Sequence, residues 1–566
     1  MLERVVEHWL DSASERSFQL PFCYMLAKKG HTVVHLTRHC GMELGKDVLT
    51  IGPDGTPCAF QLKNGNLTLS QWQNHVVHQV QDLVAGSIVH PAIDESQRHQ
   101  PYLVINGKVE EEVARAIGDQ NKTWQSIGLP EIKLWVRGEL LAGARDLKSD
   151  LWPTELTDVK TLLELRLEDG REVFPKEKLS VLLESTLPLQ KKNGQKKAPS
   201  KAACKRALSS AALLTALGAT NFVRRKNHVA EIEAWTVYVS YAFALVEKWN
   251  LGSKYYEDEV RLALKAIKNA LANLVFELKQ RNHLVETPPV FDQSFYGIRV
   301  TWVIALASLY GIWRILDQDP KDELDYFIKE FTAEHEELLN LWGEAAVPQF
   351  LAYIWYYRIT DGRMRPDGLL WEMIRTIAQR NNPRSNIPLP NPYYEAKDLL
   401  PYWVGSQLDE VMPDALNNLR VSSEPLDTNF AGYSYTLIGL VYIFVKRNWK
   451  QTMKALWPSV TKVFWSSFDY EEEWHCFRWH NEEGQERVTM PKPTRRWDDL
   501  KKEAHDDSGS GFPDVIKEYP VFALLFLCVF PHRLNSSIVR WLDTVIRKEA
   551  YNVDVTRRSV GVPTDI

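Results

Sequence analysis

Gly45-Lys46-Asp47-Val48-Leu49 and Phe60-Gln61-Leu62-Lys63 decide how the first quarter of this chain folds. Asp47 to Ile51 reads as one strand and Cys58 to Lys63 as the next. Between them lies Pro53-Asp54-Gly55, a turn signature: proline presets the first turn angle and glycine accepts a left-handed one. The two strands therefore form a hairpin. Gln61 and Lys63 are two residues apart, so both project from one face, and Leu62 points to the other. An acid, an amide and an amine gather at the edge of a small sheet.

Before the hairpin, residues 1–30 show apolar residues at helical spacing (Val5, Val6, Trp9, then Phe18, Phe22, Met25, Leu26), with Pro21 kinking or restarting the run. Gly30 ends it, and His31 to Leu36 suits a strand. After the hairpin, Leu67 to Ala85 reads as helix and Pro101 to Asn106 as a buried strand. Glu110 to Ile117 reads as helix with Gly118 as its stop, and Ile132 to Val136 as another strand. The order of helix, three strands, helix, strand, helix, strand predicts an α/β layer with a mixed sheet flanked by helices.

A chain of 566 residues implies two to four domains. Residues 138–187 look helical and acidic. Residues 188–206 carry Lys191, Lys192, Lys196, Lys197, Lys201, Lys205 and Arg206 among Gln, Gly, Pro and Ala, the composition of a solvated linker. From 207 to 566 the pattern is overwhelmingly helical. Fifteen of the 20 Trp lie there, which predicts bulky helix–helix packing in a large all-α domain, with one β insertion at Trp474 to Met490. The division is thus 1–187 (core about 10–140), linker 188–206 and helical domain 207–566.

The net charge of -5 means that any nucleic-acid binding must use a local basic patch. Six scattered Cys without paired spacing fit a reducing cytoplasm. Val300–Trp313, Leu437–Val445 and Val521–Phe530 are apolar but shorter than the roughly 20 residues that span a bilayer, so they are expected as buried core helices, with no membrane partner. No phosphate-binding glycine loop, GxGxxG or GxSxG motif is present, so a built-in ATPase, dinucleotide or serine-hydrolase chemistry lacks support. His475, Cys476 and His480 cluster without a fourth ligand, which does not make a zinc site.

The cluster on the hairpin has the parts for hydrolysing a phosphodiester. Asp47 would ligate a divalent cation directly, with the Gln61 side-chain oxygen and the Leu62 backbone carbonyl as further ligands. Lys63 would hold or polarise the attacking water and counter the phosphate charge. A carboxylate from the first helix would complete the set. His39, Asn64 and Ser70 lie where phosphate contacts can form, although Ser70 or Thr68 would equally serve as a helix cap.

The Asp47…Gln61-Leu62-Lys63 pattern resembles the PD-(D/E)xK nuclease superfamily, in particular its Mrr-like restriction-endonuclease branch, in which the third motif position is often Gln. Phe18-Gln19, Met25-Leu26 and Gly30-His31-Thr32-Val33 resemble the helix and strand that precede the motif there. The resemblance covers about residues 10–140. It implies a restriction-endonuclease-like fold and a Mg2+- or Mn2+-dependent endonuclease acting on DNA, with RNA left open, in a prokaryotic restriction or anti-phage defence setting. It also implies a helical domain that senses, assembles as a homo-oligomer or docks a second subunit. In that branch the residue after Phe18 is commonly Glu, and here it is Gln19. Glu15, one turn earlier on the same face, is favoured as the helix ligand, with Gln19 second. A site with one firm carboxylate leaves an alternative: a helical interaction protein whose degenerate nuclease fold binds nucleic acid without cutting.

Overall fold

A computed structural model describes residues 2–36, 46–88, 90, 92–94, 97–147, 158–189, 198–281, 293–319, 322–361, 366–385, 388–396, 432–480, 483–506, 508–509 and 512–559. The chain forms two compact units. One comprises Met1–Gly170, Glu177–Arg224 and Leu251–Leu262, and the other Arg171–Lys176, Arg225–Asn250 and Ala263–Ile566.

The first unit opens with two helices, α1 (Leu2–Ser12) and α2 (Glu15–Lys28). The break falls at Ala13-Ser14 rather than at Pro21. The Ser14 side chain accepts from the Ser17 N–H and caps α2. Pro21 sits buried inside α2, which continues past it. Then come β1 (Thr32–Leu36), β2 (Val48–Ile51) and β3 (Pro57–Lys63). Gly55 takes the left-handed conformation (φ +82°) that the turn requires. A short α3 (Leu69–Gln71) runs through a π turn at Trp72–Val76 into α4 (Val77–Ala85). β4 (Gln100–Ile105), α5 (Glu111–Ser126), β5 (Lys133–Trp135) and α6 (Arg137–Leu147) complete the layer. Gly118 does not stop α5. It leaves open space on its exposed side, so its lack of a side chain costs helix propensity but removes no contact.

Five strands pair in the order β1-β2-β3-β4-β5. β1, β2 and β3 are antiparallel, whereas β3, β4 and β5 are parallel, so β3 is the seam of a mixed sheet. Its two faces are covered differently. On one, Phe22 of α2 packs edge-on against Phe60 and Trp135, and Phe60 stacks on Tyr102 at 4.6 Å. On the other, Leu49, Ala59, Leu103 and Ile105 meet Trp72, Val80, Leu83, Val113 and Ile117. Arg137 of α6 binds Glu7 and Asp11 of α1, each at 2.6 Å.

Three further helices of this unit are α7 (Val159–Leu167), α8 (Lys176–Thr186) and α9 (Lys201–Gly218). The basic stretch expected as a linker is therefore helical from Lys201. Ser200 caps α9, whose Ala- and Leu-rich sequence buries Cys204, Leu208, Ala211 and Leu214 while α9 packs on α1. Residues 190–197 lie outside the described residues.

The second unit is largely helical but not all-α. Among its described residues is a three-stranded sheet, β6 (Tyr433–Ser434), β7 (Phe464–Tyr470) and β8 (Gly484–Thr489). β8 pairs with β7, whereas the first part of the expected insertion is a 3-10 turn at Glu473–Phe477. The apolar helices Leu437–Lys446 and Pro520–Val529 are buried along their length. Among the described residues two helices are long and apolar enough to cross a membrane, His228–Trp249 and Tyr296–Leu316, and 89% and 72% of their apolar windows are buried inside the protein. Phe243 shows why: it packs against Phe477, Tyr519 and Phe522 with ring centroids 5.8, 5.6 and 5.7 Å away.

Candidate active site

The start of β2, the end of β3 and the start of α2 converge at one end of the sheet. Antiparallel pairing puts Val48 opposite Phe60, and the Asp47 N–H extends that ladder to the Phe60 carbonyl at 2.8 Å. The Asp47 side chain then turns toward β3, where its Oδ2 accepts the Leu62 N–H at 2.7 Å. Leu62 thus contributes its amide nitrogen to the Asp47 carboxylate. Its side chain lies in the core at 1% exposure.

Gln61 and Lys63 share the face of Ala59, the one covered by α4. Gln61 is 5% exposed. Its Nε2 donates to Gln79 Oε1 of α4 at 3.4 Å, and its own Oε1 has no hydrogen-bond partner. A buried amide oxygen left bare costs about 1–3 kcal/mol, and the atom is of the type a hard divalent cation takes as a ligand. Lys63 is half-buried, with its Nζ 3.6 Å from Glu15 Oε1.

Glu15 and Gln19 do different jobs. Glu15 opens α2 and faces Lys63, whereas Gln19, 7% exposed, donates its Nε2 to the Asp47 backbone carbonyl at 3.0 Å. The carboxylate sits against the ammonium, and the amide fixes the backbone that carries Asp47.

The phosphate candidates divide. Asn64 is exposed just past the end of β3. Ser70 is exposed and accepts from Asn74 Nδ2 at 3.2 Å. The cap belongs to Thr68, which forms a capping box with Gln71. The Leu69 N–H at this helix start is taken by Glu110 Oε2 at 2.8 Å. His39 lies outside the described residues. His35 is exposed, with its ring 5.8 Å from that of His90.

Three residues that the motif does not include also shape this end of the sheet. Asn106, 1% exposed, donates its Nδ2 to the carbonyls of Leu10 and Ala13, each at 2.9 Å, while its Oδ1 accepts the Gly65 N–H at 2.7 Å. It joins the α1–α2 junction to the turn after Lys63, which holds Glu15 beside Lys63. The sequence signal was faint: an Asn closing an apolar strand. Gln79 orients Gln61. Lys46, 6% exposed, precedes Asp47; burial pulls its pKa down and Asp82 pulls it back up.

Among the described residues, no three His, Cys, Asp or Glu side chains come together at metal-binding spacing. The arrangement is an acid, an amide oxygen and a paired lysine. Comparison with protein-family models, with curated proteins and with solved structures gave no match.

Proposed function

We propose that the first unit is a restriction-endonuclease-like, metal-dependent endonuclease domain that hydrolyses phosphodiester bonds in DNA. The observation that carries this reading is the bare, buried Oε1 of Gln61 on the same face as Lys63, at the strand end where Asp47 is held by the Leu62 N–H. Asp47 and Gln61 would hold Mg2+ or Mn2+, with Glu15 as the helix carboxylate. Bound there, the ion would neutralise phosphate charge and lower the pKa of a water.

The chain's own side chains have separate tasks. Lys63, released from Glu15, places a positive charge beside the phosphate and orients the attacking water. Gln19 fixes the Asp47 backbone and Gln79 the Gln61 amide. The face around Gln61 is closed by α4, which keeps competing water away.

A second reading has an observation of its own. Asp47 and Glu15 already have internal partners, Leu62 N–H and Lys63, and no three-ligand acidic cluster exists among the described residues. That favours weak metal binding, and hence a fold that binds nucleic acid without cutting it. The deciding experiment is plasmid cleavage by the pure protein in Mg2+ or Mn2+ against Lys63→Ala. Metal-dependent nicking lost in the variant supports the nuclease. DNA binding without nicking, equal in both proteins, selects the second reading.

A further inference from the structure

His532 lies in the 3-10 turn Pro531–Arg533 of the second unit, which follows helix Pro520–Val529. It is 4% exposed, and neither Nδ1 nor Nε2 has a hydrogen-bond partner. Buried polar atoms are nearly always paired, so two empty nitrogens on one ring are unusual. Burial, reinforced by the nearby Arg533, His480 and Lys176, holds this imidazole well below the usual histidine range. It is neutral at pH 7 and offers one N–H and one lone pair.

Rings surround it. The centroids of Tyr393, Trp479, His480 and Phe530 are 5.3, 5.2, 4.6 and 5.8 Å from that of His532. His480 stacks on Trp479 at 4.5 Å and adopts a left-handed backbone (φ +44°). The cluster reaches the surface there: His480 is exposed, and Trp479 and Tyr393 are half-buried.

Charge is arranged just as specifically. Lys176 lies 5.4 Å over the Trp479 ring and is held by Glu233 and Glu395 at 3.0 and 2.6 Å. Those carboxylates satisfy the lysine. Arg533 has no such partner. It is 2% exposed, its Nη1 donates to the Tyr470 hydroxyl at 2.5 Å, its Nη2 donates to the Arg478 carbonyl, and its Nε is bare. Among the described residues no carboxylate pairs with it. A buried guanidinium without an anion is expensive, and its natural complement is an oxyanion.

We propose that this cluster is a binding site for a nucleotide, with the base lying on the exposed His480 ring beside Tyr393, its edge meeting His532, and its phosphate answering the charge of Arg533. Aromatic faces stack any base, so the exposed His480 ring, backed by Trp479, supplies affinity. Apolar core packing would account for the rings alone. It does not account for the two bare imidazole nitrogens and, beside them, a guanidinium with a bare Nε and no carboxylate partner among the described residues.

The test uses the full chain and equilibrium dialysis with each of AMP, GMP, CMP and UMP, then the matching nucleoside and ribose 5-phosphate. The readout is binding and does not depend on nuclease activity. At least one mononucleotide should bind saturably, with its nucleoside and ribose 5-phosphate each weaker by about tenfold or more. His532→Phe keeps the ring and removes both nitrogens, and Trp479→Leu removes the ring on which His480 is stacked. Each should weaken that nucleotide by about tenfold, the worth of one stacked base, while Tyr326→Ala, at an exposed ring elsewhere in the unit, changes nothing. If Trp479→Leu fails to fold, the exposed His480→Ala takes its place. Absence of saturable binding for all four nucleotides at millimolar concentration overturns the proposal. So does binding that is unchanged in folded His532→Phe.

Discussion

The Leu62 amide and the Asp47 carboxylate meet at 2.7 Å, so the acid of the site is built into the hairpin that presents it. One oxygen of Asp47 continues the pairing of β2 with β3. The carboxylate cannot swing away without giving up a charge-assisted hydrogen bond.

Asp47→Asn keeps that shape and removes the charge. The amide oxygen still accepts from Leu62, so the melting curve should stay within about 1 kcal/mol of wild type. Metal-dependent plasmid cleavage should fall by about a hundredfold or more. Activity near wild type would remove Asp47 from the chemistry.

Glu15→Ala and Gln19→Ala should fail in different ways. Glu15 and Lys63 are partly exposed, and pairs of that kind add little stability, so Glu15→Ala should cost cleavage and spare the fold. Gln19→Ala removes a buried amide and leaves the Asp47 carbonyl short of a donor, which should cost about 1–2 kcal/mol. Comparing cleavage per folded molecule with thermal stability separates the two. A larger loss of specific activity in Gln19→Ala would reassign the helix ligand.

Asn106→Ala should be among the most damaging single changes in the first unit. It strands two carbonyls and one N–H in a buried place, at about 3 kcal/mol in total. Denaturant melts measure that cost. Asn106→Asp keeps the acceptor for Gly65 but loses the donor to Leu10 and Ala13, so it should recover only part of the loss.

Glu259 gives a pH signature. It is 2% exposed; Ser209 Oγ donates to its Oε1 at 2.8 Å, and its Oε2 has no partner. Burial raises its pKa, against the smaller pull of Ser209 and Lys205. A carboxyl raised in the folded state binds its proton more tightly there than in the unfolded chain. Its contribution is therefore full below the unfolded pKa and lost as pH rises through the folded one. Glu259→Gln should raise the melting temperature at pH 7 by a few degrees and leave it unchanged at pH 4. A lower melting temperature at pH 7 would mean that the charge is satisfied.

Much of the first unit was legible because its signals are local. The turn at Pro53-Asp54-Gly55 fixed the hairpin, and the two-residue period fixed the shared face of Gln61 and Lys63. What stayed hidden depends on distant partners. Ser14 rather than Pro21 breaks the first helix, because a cap is satisfied locally while Pro21 loses only one bond in a well-packed helix. Gly118 stays inside α5 because Val113, Ile117 and Trp124 pin the helix on both sides of it. Lys201 to Arg206 look like linker by charge, yet the Ala- and Leu-rich run behind them carries the helix back through them. The role of Asn106 has only a faint sequence signature, since its partners Gly65, Ala13 and Leu10 lie 41, 93 and 96 residues away.

The seam at β3 also bears on how such a domain can change over generations. Antiparallel pairing on one side and parallel pairing on the other bring the start of β2 and the ends of β3 and β4 to one rim, while the Pro53–Gly55 turn lies at the opposite end. The segments leaving the rim, Asn64–Thr68 and Asn106–Glu110, are tied to each other: Leu67 bridges to Val109, Lys108 N–H donates to Asn66 Oδ1, and Gly107 lies against the Gly65 backbone, so neither can change alone. Sequence drift is thus easier at the exposed Pro53–Gly55 turn than at the rim that carries Asp47 and Lys63, where two segments would have to change in step.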